Sequence, residues 1–158
     1  ANLEKLNTKS TKYNSYLLID EAHALGVYGP EGRGLVYNSS LNNKDNIFIT
    51  GTFGKSVGTF GAFFSGNTDH VEYVMQKARS YIYSTSLPVH TVEATRKSLQ
   101  IIKKENWRRE KLFSLVEYFK NNINKSGFNT LDSGSQIQAL LIGSSKDAIY
   151  ISNELLKK

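Results

Sequence analysis

Three side chains in the first half of the sequence have the types and the spacing to do chemistry together. Lys55 stands in Gly51-Thr52-Phe53-Gly54-Lys55-Ser56, directly after the strand-like run Asn46-Ile47-Phe48-Ile49-Thr50 and before a second glycine-bearing stretch, Val57-Gly58-Thr59-Phe60-Gly61. Upstream, Tyr16-Leu17-Leu18-Ile19-Asp20-Glu21-Ala22-His23 ends another apolar run in an acid and a histidine. A lysine amine made less basic by burial or by neighbouring cations is a nucleophile towards a carbonyl. Taken singly, each residue has a plainer reading. Asp20 and Glu21 cap the next element, His23 is structural or faces solvent, Lys55 is a surface charge, and the glycines punctuate turns. Their conjunction at the ends of two successive apolar strands is what points to a site. His70 and His90 have no such company and read as surface residues.

The chemistry that needs this set is capture of an aldehyde cofactor by lysine, as a Schiff base with pyridoxal phosphate (PLP). That cofactor needs a carboxylate beside its pyridine nitrogen, because the protonated ring is the electron sink for a substrate carbanion. Asp20, ending a strand expected to be buried, suits the role. Opposite charges about 4 Å apart attract by about 4 kcal/mol at an effective dielectric near 20, enough to hold such a proton. His23 is placed to hydrogen-bond or stack near the ring, and Thr52 to donate to a phosphate together with backbone amides. A competing reading fails on spacing: Gly54-Lys55-Ser56 mimics the end of a phosphate-binding P-loop, but the leading glycine of that motif would have to stand where Ile49 is.

The elements that must position these groups alternate between strand and helix. Tyr16–Ile19, Ile47–Thr50 and Gly61–Ser65 read as strands, the first as one covered on both faces in a parallel sheet. Asn67-Thr68-Asp69 offers N-caps for a helix over Val71–Ala78. Tyr81-Ile82-Tyr83-Ser84-Thr85-Ser86-Leu87-Pro88 reads as a short extended stretch, with Pro88 opening a helix over His90–Lys104. Leu112, Leu115, Val116, Phe119 and Ile123 mark an amphipathic helix over Arg108–Ile123. Ile137–Ile142 reads as a strand, and a helix follows from Lys146. Between Tyr16 and the helices lies Gly26-Val27-Tyr28-Gly29-Pro30-Glu31-Gly32-Arg33-Gly34, a loop rich in turn formers.

Bulk properties set bounds. The 158 residues carry a formal charge of +6 and no cysteine. The basic residues are scattered, and the densest run, Lys103 to Lys111, mixes both signs, which reads as a solvated helix face rather than a nucleic-acid footprint. The lack of cysteine excludes disulfides and thiolate metal sites and favours a cytoplasmic home. No apolar run approaches the roughly 20 residues that span a bilayer, so the expectation is a soluble protein with no membrane partner. The absence of an initiator Met and an end inside a helix-like run lead to the expectation of a fragment.

With those motifs in view, the chain resembles the α-oxoamine synthases, PLP enzymes of the aspartate-aminotransferase fold type. The match rests on Ile19-Asp20-Glu21-Ala22-His23-Ala24-Leu25-Gly26-Val27, Gly29-Pro30-Glu31-Gly32-Arg33-Gly34, Gly51-Thr52-Phe53-Gly54-Lys55-Ser56 and Tyr83-Ser84-Thr85-Ser86-Leu87-Pro88, and extends weakly to Ser135-Gln136-Ile137-Gln138. The resemblance implies an α/β fold: residues 1–105 as the C-terminal part of the large PLP-binding domain of a fold type I enzyme, with its connecting helix, and 106–158 as the start of the small C-terminal domain. It implies that Lys55 holds PLP as a Schiff base, Asp20 pairs with the ring nitrogen, His23 contacts the 3-hydroxyl and Thr52 the phosphate. Ser84 and Thr85 would reach the phosphate of the neighbouring subunit of a homodimer. The implied reaction is a decarboxylating condensation of an amino acid with an acyl-CoA or acyl-carrier-protein thioester, with Lys55 removing the α-proton. The forms Tyr81–Ser86 and Thr52–Lys55 point to L-alanine and a pimeloyl thioester; glycine- or serine-using members, or a silent scaffold subunit of the same fold, are the alternatives. The family's ring-stacking side chain and carboxylate-binding arginine find no convincing match in these residues, so the chain alone is expected to be inactive.

Overall fold

The computed structural model describes residues 2–41, 44–128 and 130–158. They form two compact units, Ala1–Asn106 and Trp107–Lys158.

The first unit is built on a three-stranded sheet, β1 (Leu17–Asp20), β2 (Ile47–Thr52) and β3 (Ala62–Ser65), in that spatial order. β1 runs parallel to β2, with Leu17 opposite Ile47 and Asp20 opposite Thr50. Leu17 N–H donates to Asn46 O and Glu21 N–H to Thr50 O, extending the ladder at both ends. β3 then turns back antiparallel to β2, with Thr52 opposite Ala62. The sheet is thus mixed rather than wholly parallel, because the short link from Thr52 to Ala62 permits only a hairpin-like return.

β1 is not covered on both faces as its continuous apolar run suggested. Leu17 and Ile19 turn inward, while Leu18 is 59% exposed on the opposite face. The inward face packs a core of Val36, Leu41 and Ile47, flanked by Leu3, Leu17, Ile19 and Ile49. Leu3 belongs to α1 (Leu3–Lys12), whose N-terminus is capped by Asn2 Oδ1 accepting from Lys5 N–H.

α2 (Thr68–Lys77) follows β3 and is capped by Asn67, whose Oδ1 accepts from Asp69 N–H at 3.0 Å, as the sequence indicates. A separate helical turn, α3 (Arg79–Ile82), then takes Tyr81 and Ile82, which the sequence places in an extended stretch. Their N–H groups both donate to Ala78 O, so only the segment after Ile82 runs irregularly to Pro88. Pro88 stands at the N-cap of α4 (Val89–Lys104), its ring fixing the entry to the helix. His70 also departs from expectation. Its Nε2 lies 3.0 Å from Tyr16 Oη, and its ring meets Phe48 edge-on at 5.3 Å, so it is part of an aromatic cluster on the sheet's outer face. His90 is exposed, as expected.

The second unit contains α5 (Trp107–Lys125) and α6 (Ser145–Leu155). The strand expected over Ile137–Ile142 does not form; only a bridge between Thr130 and Leu140 is present. The reason is local competition. Ser133 and Ser135 hydroxyls both donate to Ile137 O, Ser135 Oγ accepts from Ile137 N–H, and Gln138 Nε2 donates to Ser133 O and Ser135 O. Side chains therefore take the backbone groups that a ladder would need.

Glu21 holds the glycine loop against the end of β1. It is 3% exposed, and its two carboxylate oxygens accept the N–H groups of Leu35 (3.0 Å) and Val36 (2.7 Å). Gly34 must pass directly over that carboxylate: its φ is +95°, and a Cβ there would lie 1.5 Å from Glu21 Oε2. Burial pushes the Glu21 carboxyl above the ordinary carboxylate range, against the pull of the two backbone N–H donors. The fold therefore retains this proton to higher pH than the unfolded chain does. The Glu21 contribution is fully present below the ordinary carboxylate value and is lost as pH rises from there through the raised value of the folded state. We predict that Glu21→Ala, which orphans two N–H groups, destabilises the chain by about 2–4 kcal/mol in urea melts. The wild-type advantage should be larger at pH 4 than at pH 7; a gap that widens towards neutral pH would contradict the assignment. Leu41→Ala, at a side chain with no exposed surface, should cost about 2–5 kcal/mol in the same melts.

Candidate active site

Parallel pairing of β1 and β2 brings their carboxyl ends side by side, and the two loops that leave those ends carry the polar groups. In the β1 loop, Asp20 Oδ1 accepts the N–H of Ala22 at 2.8 Å, which turns the chain sharply and fixes the carboxylate at the strand end. His23 follows in the same turn, which is closed by Ala24 and Leu25 N–H groups donating to Glu21 O. In the β2 loop, Gly58 N–H donates to Lys55 O, and Thr59 N–H to Phe53 O. Phe53 stacks on Phe63 of β3 with ring centroids 5.7 Å apart, anchoring the loop to the sheet.

The two loops meet at Lys55 and His23. Lys55 Nζ lies 2.9 Å from His23 Nε2, a hydrogen bond between residues widely separated in sequence. When the ring carries its proton on Nδ1, Nε2 accepts from the lysine ammonium. Further along the same two loops, Ser56 Oγ–H donates to Leu25 O at 2.6 Å. On its far side the β2 loop is tied to α4: Ser98 Oγ–H donates to Val57 O at 2.6 Å, and the Thr59 and Thr95 hydroxyls lie 2.8 Å apart. Of the partners Leu25, Thr95 and Ser98, the two on α4 fall in no motif. The only sequence signal for them is a run of small hydroxyl residues on the inner side of α4, visible once the loop's position is known.

Asp20, His23 and Lys55 are all exposed in these 158 residues, so Asp20 does not end a strand buried at that point. Thr52 is half-buried, and its hydroxyl is already committed: Oγ1 donates to Gly61 O at 3.2 Å and accepts from Gly54 N–H at 3.1 Å. A contact from Thr52 to phosphate requires that its proton leave Gly61 O. Ser84 and Thr85 lie apart from this cluster in sequence and element, on the exposed segment after α3. Ser84 Oγ–H donates to Ser80 O at 2.6 Å. Together with Met75, Tyr81 and Ser86, both line a shallow cleft of about 300 Å³.

The site therefore offers an amine beside an imidazole, a fixed carboxylate at the adjacent strand end, and open backbone, since a Cβ at Gly58 would meet nothing within 4 Å. That donor set fits PLP: a nucleophilic amine for the aldehyde, an acid for the ring nitrogen, and space for a planar ring to approach. Among the described residues no group of three or more His, Asp and Glu side chains converges as a metal site, and no helix is long and apolar enough to cross a membrane.

The family model for aminotransferase class I and II matches residues 1–158. The chain is 37% identical over 158 residues to the 8-amino-7-oxononanoate synthase of Saccharophagus degradans, covering 100% of this chain and 40% of that protein. Among solved structures it superimposes on a serine palmitoyltransferase from S. paucimobilis with a bound PLP–myriocin aldimine, at a TM-score of 0.83 and 30% identity, covering 94% of this chain and 39% of that one. The 8-amino-7-oxononanoate synthase of Francisella tularensis superimposes with a TM-score of 0.83 at 26% identity, covering 97% and 46%. The chain thus spans less than half the length of these relatives, and the expected fold type I architecture is met over the part that it spans. The chain belongs to the aminotransferase class I and II family, and its likeness within that family is to the α-oxoamine synthases.

Proposed function

We propose that the whole protein catalyses a PLP-dependent decarboxylating condensation of an amino acid with an acyl thioester, joining L-alanine to a pimeloyl thioester to give 8-amino-7-oxononanoate for biotin synthesis. The observation that carries the proposal is the 2.9 Å approach of Lys55 Nζ to His23 Nε2 at the carboxyl ends of two paired parallel strands, one of which ends in Asp20. The likeness to 8-amino-7-oxononanoate synthases supports the choice of substrates. The likeness to serine palmitoyltransferase favours one second reading, a serine- or glycine-using enzyme of the same kind.

PLP supplies an electron sink for the substrate carbanion when bound. Lys55 would hold the cofactor through Nζ, and the same amine would take the substrate's α-proton. Asp20 would hold the proton on the ring nitrogen by its charge, and the bond from Ala22 N–H keeps that carboxylate oriented. His23 holds the Lys55 amine and would hydrogen-bond the cofactor's ring hydroxyl. Thr52, once released from Gly61 O, would donate to the phosphate. Residues 1–105 serve as part of the large cofactor-binding domain and 106–158 as the start of the small one. Ser84 and Thr85 act across a homodimer interface; the exposed apolar side chains around them, Tyr83 (79%) and Val89 (78%), support a covered surface there. The likeness to 8-amino-7-oxononanoate synthases supports a cytoplasmic location.

Thiol release from pimeloyl-CoA tests the reading. With the whole protein and PLP, L-alanine should support release at least tenfold faster than glycine or L-serine; the opposite preference selects the second reading, and no release with any of the three contradicts both. Lys55→Ala should abolish turnover. Asp20→Asn, which removes an attraction of about 4 kcal/mol, should lower kcat on the order of a thousandfold. The 158 residues alone should show no turnover.

A further inference from the structure

We infer that Ser56 is a positioning residue for the Lys55 amine: its hydroxyl, bonded to Leu25 O, sets the distance between Lys55 and His23. The inference rests on the functional reading above and adds a residue to which the chemistry assigns no role.

Two rungs join the loops that leave β1 and β2. One is Lys55 Nζ to His23 Nε2 at 2.9 Å, and the other is Ser56 Oγ to Leu25 O at 2.6 Å. The first rung ends on a four-carbon lysine stem, whose rotatable bonds let the amine reach His23 over a range of loop separations, so it does not fix that separation. The second is short and joins the hydroxyl of a one-carbon side chain to a backbone carbonyl, so it fixes how closely the two loops approach. The packing around it confirms that the approach is built in. Gly26, at φ +78°, faces Ser56 so closely that a Cβ would lie 2.6 Å from Ser56 Oγ and 2.8 Å from Ser56 Cβ. Gly26 is itself held, its N–H donating to Gly32 O at 2.7 Å. Behind the loop, the bonds from Ser98 and Thr95 of α4 leave the Lys55 segment little freedom to drift away from α4. The Ser56 bond ties it towards the His23 turn next to the amine. Ser56 is exposed, so the hydroxyl is not there to fill a core.

The consequence falls on the amine. With Ser56 in place, Lys55 Nζ is held at His23 before any cofactor binds, and the same restraint orients it when it returns to take the substrate proton. A small displacement of an oriented group costs rate out of proportion to its effect on stability.

The test compares Ser56→Ala and Ser56→Thr in the whole protein. Without cofactor, trace acetylation read by peptide mass gives the reactivity of Lys55 relative to Lys97, an exposed lysine of α4. Ser56→Ala should change that ratio by roughly three- to tenfold, bringing Lys55 towards Lys97, as loss of one hydrogen bond implies. Ser56→Thr, which keeps the hydroxyl, should stay within twofold of wild type. With PLP and substrates, Ser56→Ala should lower kcat roughly tenfold, leave the amino-acid KM within about twofold, and shift the pH midpoint of kcat. An Ala variant that matches wild type in both labelling ratio and pH profile overturns the inference, as does a Thr variant that behaves like Ala while remaining folded. Absence of thiol release by the wild-type protein with any amino acid overturns the functional reading and the catalytic part of this one, whereas the labelling ratio reports the restraint independently.

Discussion

Parallel pairing of β1 with β2 is the constraint on which everything else depends. Parallel strands put like ends together, so whatever leaves the carboxyl end of one strand lies beside whatever leaves the carboxyl end of its neighbour. Asp20 and the His23 turn leave one end, and the Lys55 loop leaves the other. An antiparallel pairing of the same two runs would send those loops to opposite edges of the sheet, and no choice of side chains would reunite them. The register matters as much as the direction. Asp20 lies opposite Thr50, which brings the acid level with the last residues before the Lys55 loop.

Pairing alone leaves two loops in proximity; hydrogen bonds made by small polar side chains turn proximity into geometry. On the β1 side, Asp20 closes its own turn and the buried Glu21 holds down the glycine loop that follows. On the β2 side, Ser98 and Thr95 of α4 hold the loop from behind, and Ser56 joins it to Leu25 in front. The division of labour between Asp20 and Glu21 is instructive. Adjacent in sequence and alike in charge, they point to opposite sides of the strand end. One remains exposed, and the other is nearly sealed from water and spends both oxygens on backbone donors.

Much of this was legible in the sequence where a residue's role is set by its neighbours along the chain. The three strands announced themselves as apolar runs, Asn67 and Pro88 marked helix starts by local stereochemistry, and Lys55, Asp20 and His23 stood out because the runs preceding them end abruptly in polar residues. What escaped depended on partners distant in sequence or on competition for backbone groups. Ile137–Ile142 has the apolar pattern of a strand, but the Ser133 and Ser135 hydroxyls take the backbone groups of Ile137 at its start. Tyr81 and Ile82 have strand-like side chains, yet Ala78 O starts a helical turn beneath them. His70 lacked company in sequence and found it in Tyr16 and Phe48 through the fold. Ser56 and Leu25 could be joined only once the strand pairing was known.

The central claim is that the Lys55 amine, brought to His23 and Asp20 by the paired strand ends, is the group that captures the cofactor. The most direct measurement is to add PLP to the whole protein, record the visible spectrum, reduce with borohydride, and map the modified peptide by mass. The account predicts a Schiff-base absorption band and a phosphopyridoxyl group on Lys55. A protein that shows no band, or carries the label on another lysine while Lys55 stays unmodified, would contradict it.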